Sequence, residues 1–263
     1  MRVEIRGLSF SYGAGDVLKS IDFSADAGDV VAVLGPNGVG KSTLFGCLLG
    51  HLKPTAGTVS LGGRDVRTLS GASLAGEIAY IPQSAPQTFN YTVLDTVLMG
   101  VTRELGLFSA PKAEHVDRAM AALQSLGIGH LAQRGVGRVS GGERQLALLA
   151  RAIVQDAKVL VMDEPTANLD YGNSFRVMRR VQSLGAAGYT VIFSTHEPNQ
   201  AFRYANRVLA LSGGGVLADG KPEAVLTEAL LSKLYGVGVA VRDATVRDTR
   251  YSLSIPYEQE VEP

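Results

Sequence analysis

Residues 29–49 read DVVAVLGPNGVGKSTLFGCLL. The apolar, β-branched run at 29–35 predicts a strand covered on both faces, and Lys41 to His51 predicts a helix. Between them, Gly35, Pro36, Asn37, Gly38, Val39, Gly40, Lys41 and Ser42 fit the pattern G-x-x-x-x-G-K-[ST] in the strand–loop–helix setting it needs. Glycines at these positions let successive backbone N–H groups point inward, forming a nest for the α- and β-phosphates of a nucleotide. The positive end of the following helix adds to that field. Lys41 would bridge the β- and γ-phosphates, and the Ser42 hydroxyl would be a Mg²⁺ ligand.

A Mg²⁺ held by phosphates and one hydroxyl calls for an acid at the end of a neighbouring buried strand. VLVMDEP (159–165) supplies Asp163 for the metal, with Glu164 one residue on to polarise the water that attacks the γ-phosphate. A third apolar strand, TVIFSTH (190–196), ends at His196, which should emerge at the same strand ends, where ligands of open α/β sheets collect. There its imidazole could hydrogen-bond the γ-phosphate. The other three histidines, His51, His115 and His130, have no metal-ligand spacing and read as surface or packing residues.

Composition bounds the rest. The 263 residues carry 25 basic and 25 acidic side chains, a balance that argues against a nucleic-acid partner. Cys47 is the single cysteine, which excludes an internal disulfide and a cysteine-based metal centre; its apolar neighbours predict a buried thiol. The N-terminus has no apolar signal core, and no stretch approaches 18 uninterrupted apolar residues, so the chain is not expected to cross a membrane.

Val3, Ile5, Leu8 and Phe10 predict N-terminal strands with one buried face. Residues 58–66 carry a Gly-Gly turn, 78–83 a short strand stopped by Pro82, and 207–220 a hairpin. Between Tyr91 and Asp156 the apolar spacing turns helical. The expected fold is therefore α/β: a P-loop NTPase core (1–90 and 157–236) with an N-terminal antiparallel β subdomain, an inserted helical lobe (91–156), and a strand-like tail (237–263) whose last residues should be mobile. RVSGGERQLALLAR (138–151) opens another helix with Ser140, Gly141 and Gly142. Ser140 with Glu143 makes a capping box, which leaves two consecutive glycines unexplained and suggests a second anion site.

Taken in order, GPNGVGKST (35–43), YIPQ, VSGGERQ, VLVMDEP, ANLD and STH resemble the ATP-binding-cassette ATPase family across residues 2–236. The resemblance implies two cassettes packed head to tail around two ATP molecules. Each ATP would touch the loop at 35–43, Thr43 included, of one copy and Ser140–Gly142 of the other. It implies Tyr12 stacked on adenine, Gln83 reaching Mg²⁺ and the attacking water, and Asp170 at the opposite site. Ala167-Asn168 and VSGGE depart slightly from the commoner family wording, leaving the donors intact.

With no spanning segment, the chain is expected to be a peripheral ATPase subunit on the cytoplasmic face of the membrane. Its partners would be a second copy, integral membrane permease subunits, contacted through residues 84–108, and indirectly a substrate-binding protein. VLDTVLMG and STHEPNQAF are similar to the ATPases of importers for ferric siderophores, haem, cobalamin, or molybdate and tungstate. An exporter subunit, or a cassette of a non-transport assembly complex, are the alternatives.

Overall fold

The computed structural model describes residues 1–13, 15–83, 90–105 and 109–258. The chain begins with β1 (Val3–Ser11), β2 (Asp16–Ala25) and β3 (Val30–Leu34), then α1 (Lys41–Leu48), β4 (Ala56–Leu61), β5 (Arg64–Asp65), α2 (Gly71–Glu77) and β6 (Ile78–Ile81). A helical stretch follows: α3 (Val93–Leu98), α4 (Ala113–Ser125) and α5 (Gly141–Val154). The core resumes with β7 (Val159–Met162), α6 (Tyr171–Ala186), β8 (Thr190–Thr195), α7 (Pro198–Tyr204), β9 (Arg207–Ser212) and β10 (Gly215–Gly220). After α8 (Pro222–Val225) and α9 (Glu228–Tyr235), the chain ends in β11 (Gly238–Val246) and β12 (Thr249–Tyr257).

Six strands form one sheet in the order β10-β9-β3-β8-β7-β6, parallel except for β10. Such a sheet needs cover on both faces, and β3 shows how it is provided. Val30, Ala32 and Leu34 pack in the core that reaches the helical lobe, whereas Val31 and Val33 join the core built on α1 and the antiparallel sheet β2-β1-β4-β5. In β1 the two-residue alternation skips between Ile5 and Leu8. Gly7 sits there at φ 56° beside a shift in pairing register, a bulge that returns Leu8 to the core face.

The helical lobe is fastened to the sheet by polar groups as well as by packing. The Arg151 guanidinium of α5 donates to the Tyr80 carbonyl of β6 at 3.2 Å. One turn on, the Gln155 amide donates to the carbonyls of Ala75 (2.7 Å) and Ile78 (3.1 Å).

Several sequence expectations shift. The helix predicted to reach His51 ends at Leu48, because Gly50 takes a left-handed φ of 67° and returns its N–H to Cys47. Helix α2 stands ahead of the predicted lobe, on a Ser/Ala/Gly stretch with no apolar stripe but with Ser70 as its cap. The strand-like tail is an antiparallel hairpin that docks on α7, where Asn199 and Ser254 exchange hydrogen bonds (Ser254 N–H to Asn199 Oδ1, 2.7 Å). The terminal residues expected to be mobile, 259–263, lie outside the described residues.

Cys47 is fully buried and burial pushes its thiol up to about 11. His115 is buried and accepts the Lys112 N–H, while His51 and His130 are exposed, as expected of packing and surface residues. Among the described residues no helix is long and apolar enough to cross a membrane.

Helix α6 lies against β3 at a point where only a hydrogen fits: a Cβ on Gly185 would stand 2.2 Å from Val30 Cγ2. Gly185→Ala is expected to lower unfolding free energy by about 1–3 kcal/mol through overpacking, measured by urea denaturation. An unchanged midpoint would show that the helix shifts without penalty.

Candidate active site

The loop between β3 and α1 turns through Gly40, whose φ of 110° is closed to L-residues; a Cβ there would also meet Leu18 Cδ2 at 2.8 Å. No side chain caps the first turn of α1, unlike α5, α6 and α9, so its N–H groups are left for a ligand. Lys41 is 7% exposed and forms no ion pair among the described residues. Its ammonium donates to the carbonyls of Gly35 (2.7 Å) and Pro36 (3.2 Å). Burial holds its pKa below the usual lysine value, against the opposing pull of Glu164 and Asp163. An arriving phosphate supplies the negative charge that favours the ammonium form.

The acids after β7 complete the site. Asp163 accepts the Ser42 hydroxyl on Oδ2 at 2.9 Å and the Ser194 hydroxyl on Oδ1 at 2.6 Å. Glu164 adopts a left-handed φ of 42°, a conformation that costs of order 1–3 kcal/mol in a non-glycine residue. Its N–H donates to Ser194 Oγ at 2.8 Å. Its carboxylate is held from two sides: the Gln83 amide donates to Oε2 at 3.1 Å, and His196 Nδ1 lies 3.3 Å from Oε1.

Tyr12, Asn37, Gly38, Gly40, Lys41, Ser42, Thr43, Gln83, Asp163 and Glu164 line one cavity of about 440 Å³. The two strand-end acids and the loop are thus brought together as expected. Tyr12 is 66% exposed and set edge-on to Phe10, with ring centroids 4.8 Å apart, which leaves a ring face available for stacking. Gly35, Pro36 and Val39 stand behind this lining. Gly35 and Pro36 offer carbonyls to Lys41, and Val39 packs on the core. His196 is half exposed and joins the cavity through Glu164.

Ser140, Gly141, Gly142 and Asp170 do not line this cavity. Ser140 and Glu143 form the capping box of α5. Gly142 is buried for an intramolecular reason: a Cβ would stand 2.5 Å from Asn173 Cγ. This accounts for one of the two glycines that capping left unexplained; Gly141 is exposed. Asp170 caps α6 and accepts the Asn173 amide at 2.7 Å, so the loop at 167–170 and the start of α5 form one patch.

Ser194 is the site residue that sequence reasoning missed. Its signal is a buried hydroxyl directly after the apolar run Val191–Phe193, two residues before His196.

Among the described residues no group of three or more His, Cys, Asp or Glu side chains could hold a metal unaided. Ser42 and Asp163 offer two adjacent oxygens, and the Gln83 carbonyl oxygen is left over once its amide serves Glu164. That donor set, one carboxylate with two neutral oxygens, fits Mg²⁺, which is bound through one or two carboxylates and completes its shell with phosphates and water.

The chain is similar to known proteins over most of its length. Residues 18–167 match the ABC transporter family model. The hemin import ATP-binding protein HmuV of Nocardia farcinica is 39% identical over 91% of this chain and 82% of its own length. The molybdate import ATP-binding protein MolC of Haemophilus influenzae is 34% identical over 97% of this chain and 96% of its own. A solved chain from a transporter described as of metal-chelate type, in an inward-facing conformation, superposes with a TM-score of 0.88 at 33% identity, covering 99% of each chain. ATP-binding subunits of this family work with membrane permease components. The chain belongs to the ABC transporter family and is an ATPase of that family that binds ATP with Mg²⁺.

Proposed function

We propose that the chain powers an ABC importer for a metal chelate such as a ferric siderophore, haem, cobalamin, or molybdate or tungstate. The observation that carries the ATPase half of this reading is the buried Lys41, without an ion pair among the described residues, beside an Asp163 already bonded to Ser42. Similarity to proteins named for hemin and molybdate import supports the cargo class. The subunit would sit peripherally on the cytoplasmic face of the membrane, beside permease subunits and, through them, a substrate-binding protein. The segment assigned to permease contact, 84–108, falls partly outside the described residues. The unit boundaries at 90, 156 and 236 belong to the same reading.

In the cradle, the N–H groups of residues 37–43 and the Lys41 ammonium bind the phosphates, and Tyr12 stacks on the base. Ser42, Asp163 and Gln83 would hold Mg²⁺, which would supply charge neutralisation for the bound phosphates. Glu164 accepts a proton from water as that oxygen bonds the γ-phosphorus and the bond to ADP breaks. His196 and Gln83 fix the Glu164 carboxylate between them. Ser140, Gly141 and Gly142, absent from the chain's own cavity, serve the γ-phosphate of a second copy, and Asp170 lies beside them. Hydrolysis then separates two copies that ATP has joined.

Lys41→Ala is expected to weaken ATP binding by at least about 100-fold, close to 2.7 kcal/mol, in an equilibrium fluorescence titration; near-native affinity would contradict the cradle. Glu164→Gln should keep ATP affinity yet lower kcat by about 10²–10⁴-fold and accumulate an ATP-bound dimer on size exclusion. Hydrolysis at the native rate would remove Glu164 as the base. Ser140→Arg should leave affinity within about three-fold while abolishing hydrolysis, since steric and charge disruption at the donor patch acts in trans. A matching loss of affinity in the monomer would place those donors in cis. For the cargo, the complex purified with its permease should take up a ferric or corrinoid chelate into vesicles with ATP supplied on the cassette side; efflux from such vesicles would overturn import.

A further inference from the structure

We propose that Ser194 is a positioning residue that sets both acids of the hydrolytic site, a role that rests on the assignment of Asp163 to Mg²⁺ and Glu164 to water. Ser194 is fully buried in β8, the strand lying between β3 and β7. Val191, Ile192 and Phe193 before it are fully buried and apolar, and the hydroxyls of the buried Thr190 and Thr195 bond outside the acid pair, to Met1 and Gln200, so Ser194 is the hydroxyl of β8 that serves Asp163 and Glu164.

A hydroxyl has one proton and can accept from the far side. Ser194 Oγ accepts the Glu164 N–H at 2.8 Å, so its proton is directed to Asp163 Oδ1 at 2.6 Å, within the range of charge-assisted bonds. Two constraints follow. Rotation of the Asp163 carboxylate is blocked, which keeps Oδ2 facing Ser42. The Asp163–Glu164 peptide is pinned from inside, which holds Glu164 in its left-handed conformation and aims its carboxylate at Gln83 and His196. Ser194 does not line the cavity at the loop; it acts through the two acids that do.

The test compares Ser194→Thr with Ser194→Val, near-isosteric β-branched side chains suited to a strand that differ in the hydroxyl. The probe is a fluorescent ATP analogue, titrated in EDTA and again with saturating Mg²⁺, alongside kcat for Mg·ATP. Ser194→Val is expected to lower kcat at least about ten-fold and to cut the Mg²⁺-dependent gain in affinity several-fold, with EDTA affinity held within about two-fold. Ser194→Thr should recover native behaviour on all three measures. The proposal is overturned if the valine variant keeps both kcat and the Mg²⁺-dependent gain, if it loses EDTA affinity equally, or if threonine is as defective as valine. Should valine fail to fold, Ser194→Ala is read by the same criteria. Glu164→Gln separates the two claims: native turnover in that variant would remove the base assignment, while the Mg²⁺-dependent gain measured on Ser194 variants would still report on Asp163.

Discussion

The carboxylate of Asp163 ties together the ends of three strands. It follows β7, accepts a hydroxyl from Ser42 at the start of the helix after β3, and accepts another from Ser194 within β8. These bonds require strands of one parallel sheet to end nearly level, and a parallel sheet with covered faces provides that. Lys41 meanwhile uses the carbonyls of Gly35 and Pro36. Polar groups that would meet a nucleotide are therefore already oriented by one another. Little reorganisation is left to the binding step, the condition under which fixed dipoles act most strongly on developing charge.

Charge balance explains why this arrangement suits a nucleotide–metal pair better than a bare anion. One buried ammonium faces two carboxylates, Asp163 and Glu164. An added polyphosphate alone would repel those acids; a divalent cation between them removes the conflict. The Glu164 carboxylate is anchored by Gln83 and the half-exposed His196 rather than by Ser42. Two acids adjacent in sequence thus take different partners, and the left-handed turn at Glu164 separates them.

The sequence made legible what depends on local chemistry and period. The loop at 35–42 and the apolar strands before Asp163 and His196 read directly because a parallel strand buried on both faces is apolar throughout. The hairpin at 207–220 read from its glycine turn. Helices α6 and α7, which carry the Asp170 cap and position the tail, escaped notice. In α6 polar and arginine-rich residues dilute the stripe of Val177, Met178 and Val181. Ser194 was hard to single out as a site residue because its meaning is tertiary: one of three hydroxyls in a buried strand gains a role only from the acids that the neighbouring strand delivers. The Gly142 contact with Asn173 was hidden for the same reason, being set by the crossing of α5 and α6.

Helix α5 joins the exposed donor patch to the chain's own cradle. Capped by Ser140, it runs from Gly141 to Val154, about 21 Å at 1.5 Å per residue. Near its far end Arg151 grips the Tyr80 carbonyl, and Gln155 holds Ala75 and Ile78. Tyr80 lies three residues before Gln83, whose amide holds Glu164. A rotation of the lobe that moves the first turn of α5 must therefore either break the Arg151 bond or carry the end of β6 with it. Burial weakens the alternative of release, since a mostly buried guanidinium left without its carbonyl would keep the desolvation that already depresses its pKa and lose the compensating acceptor. The path from the Ser140–Gly142 patch to the partners of Glu164 is thus one helix, one part-buried hydrogen bond and the three residues from Tyr80 to Gln83.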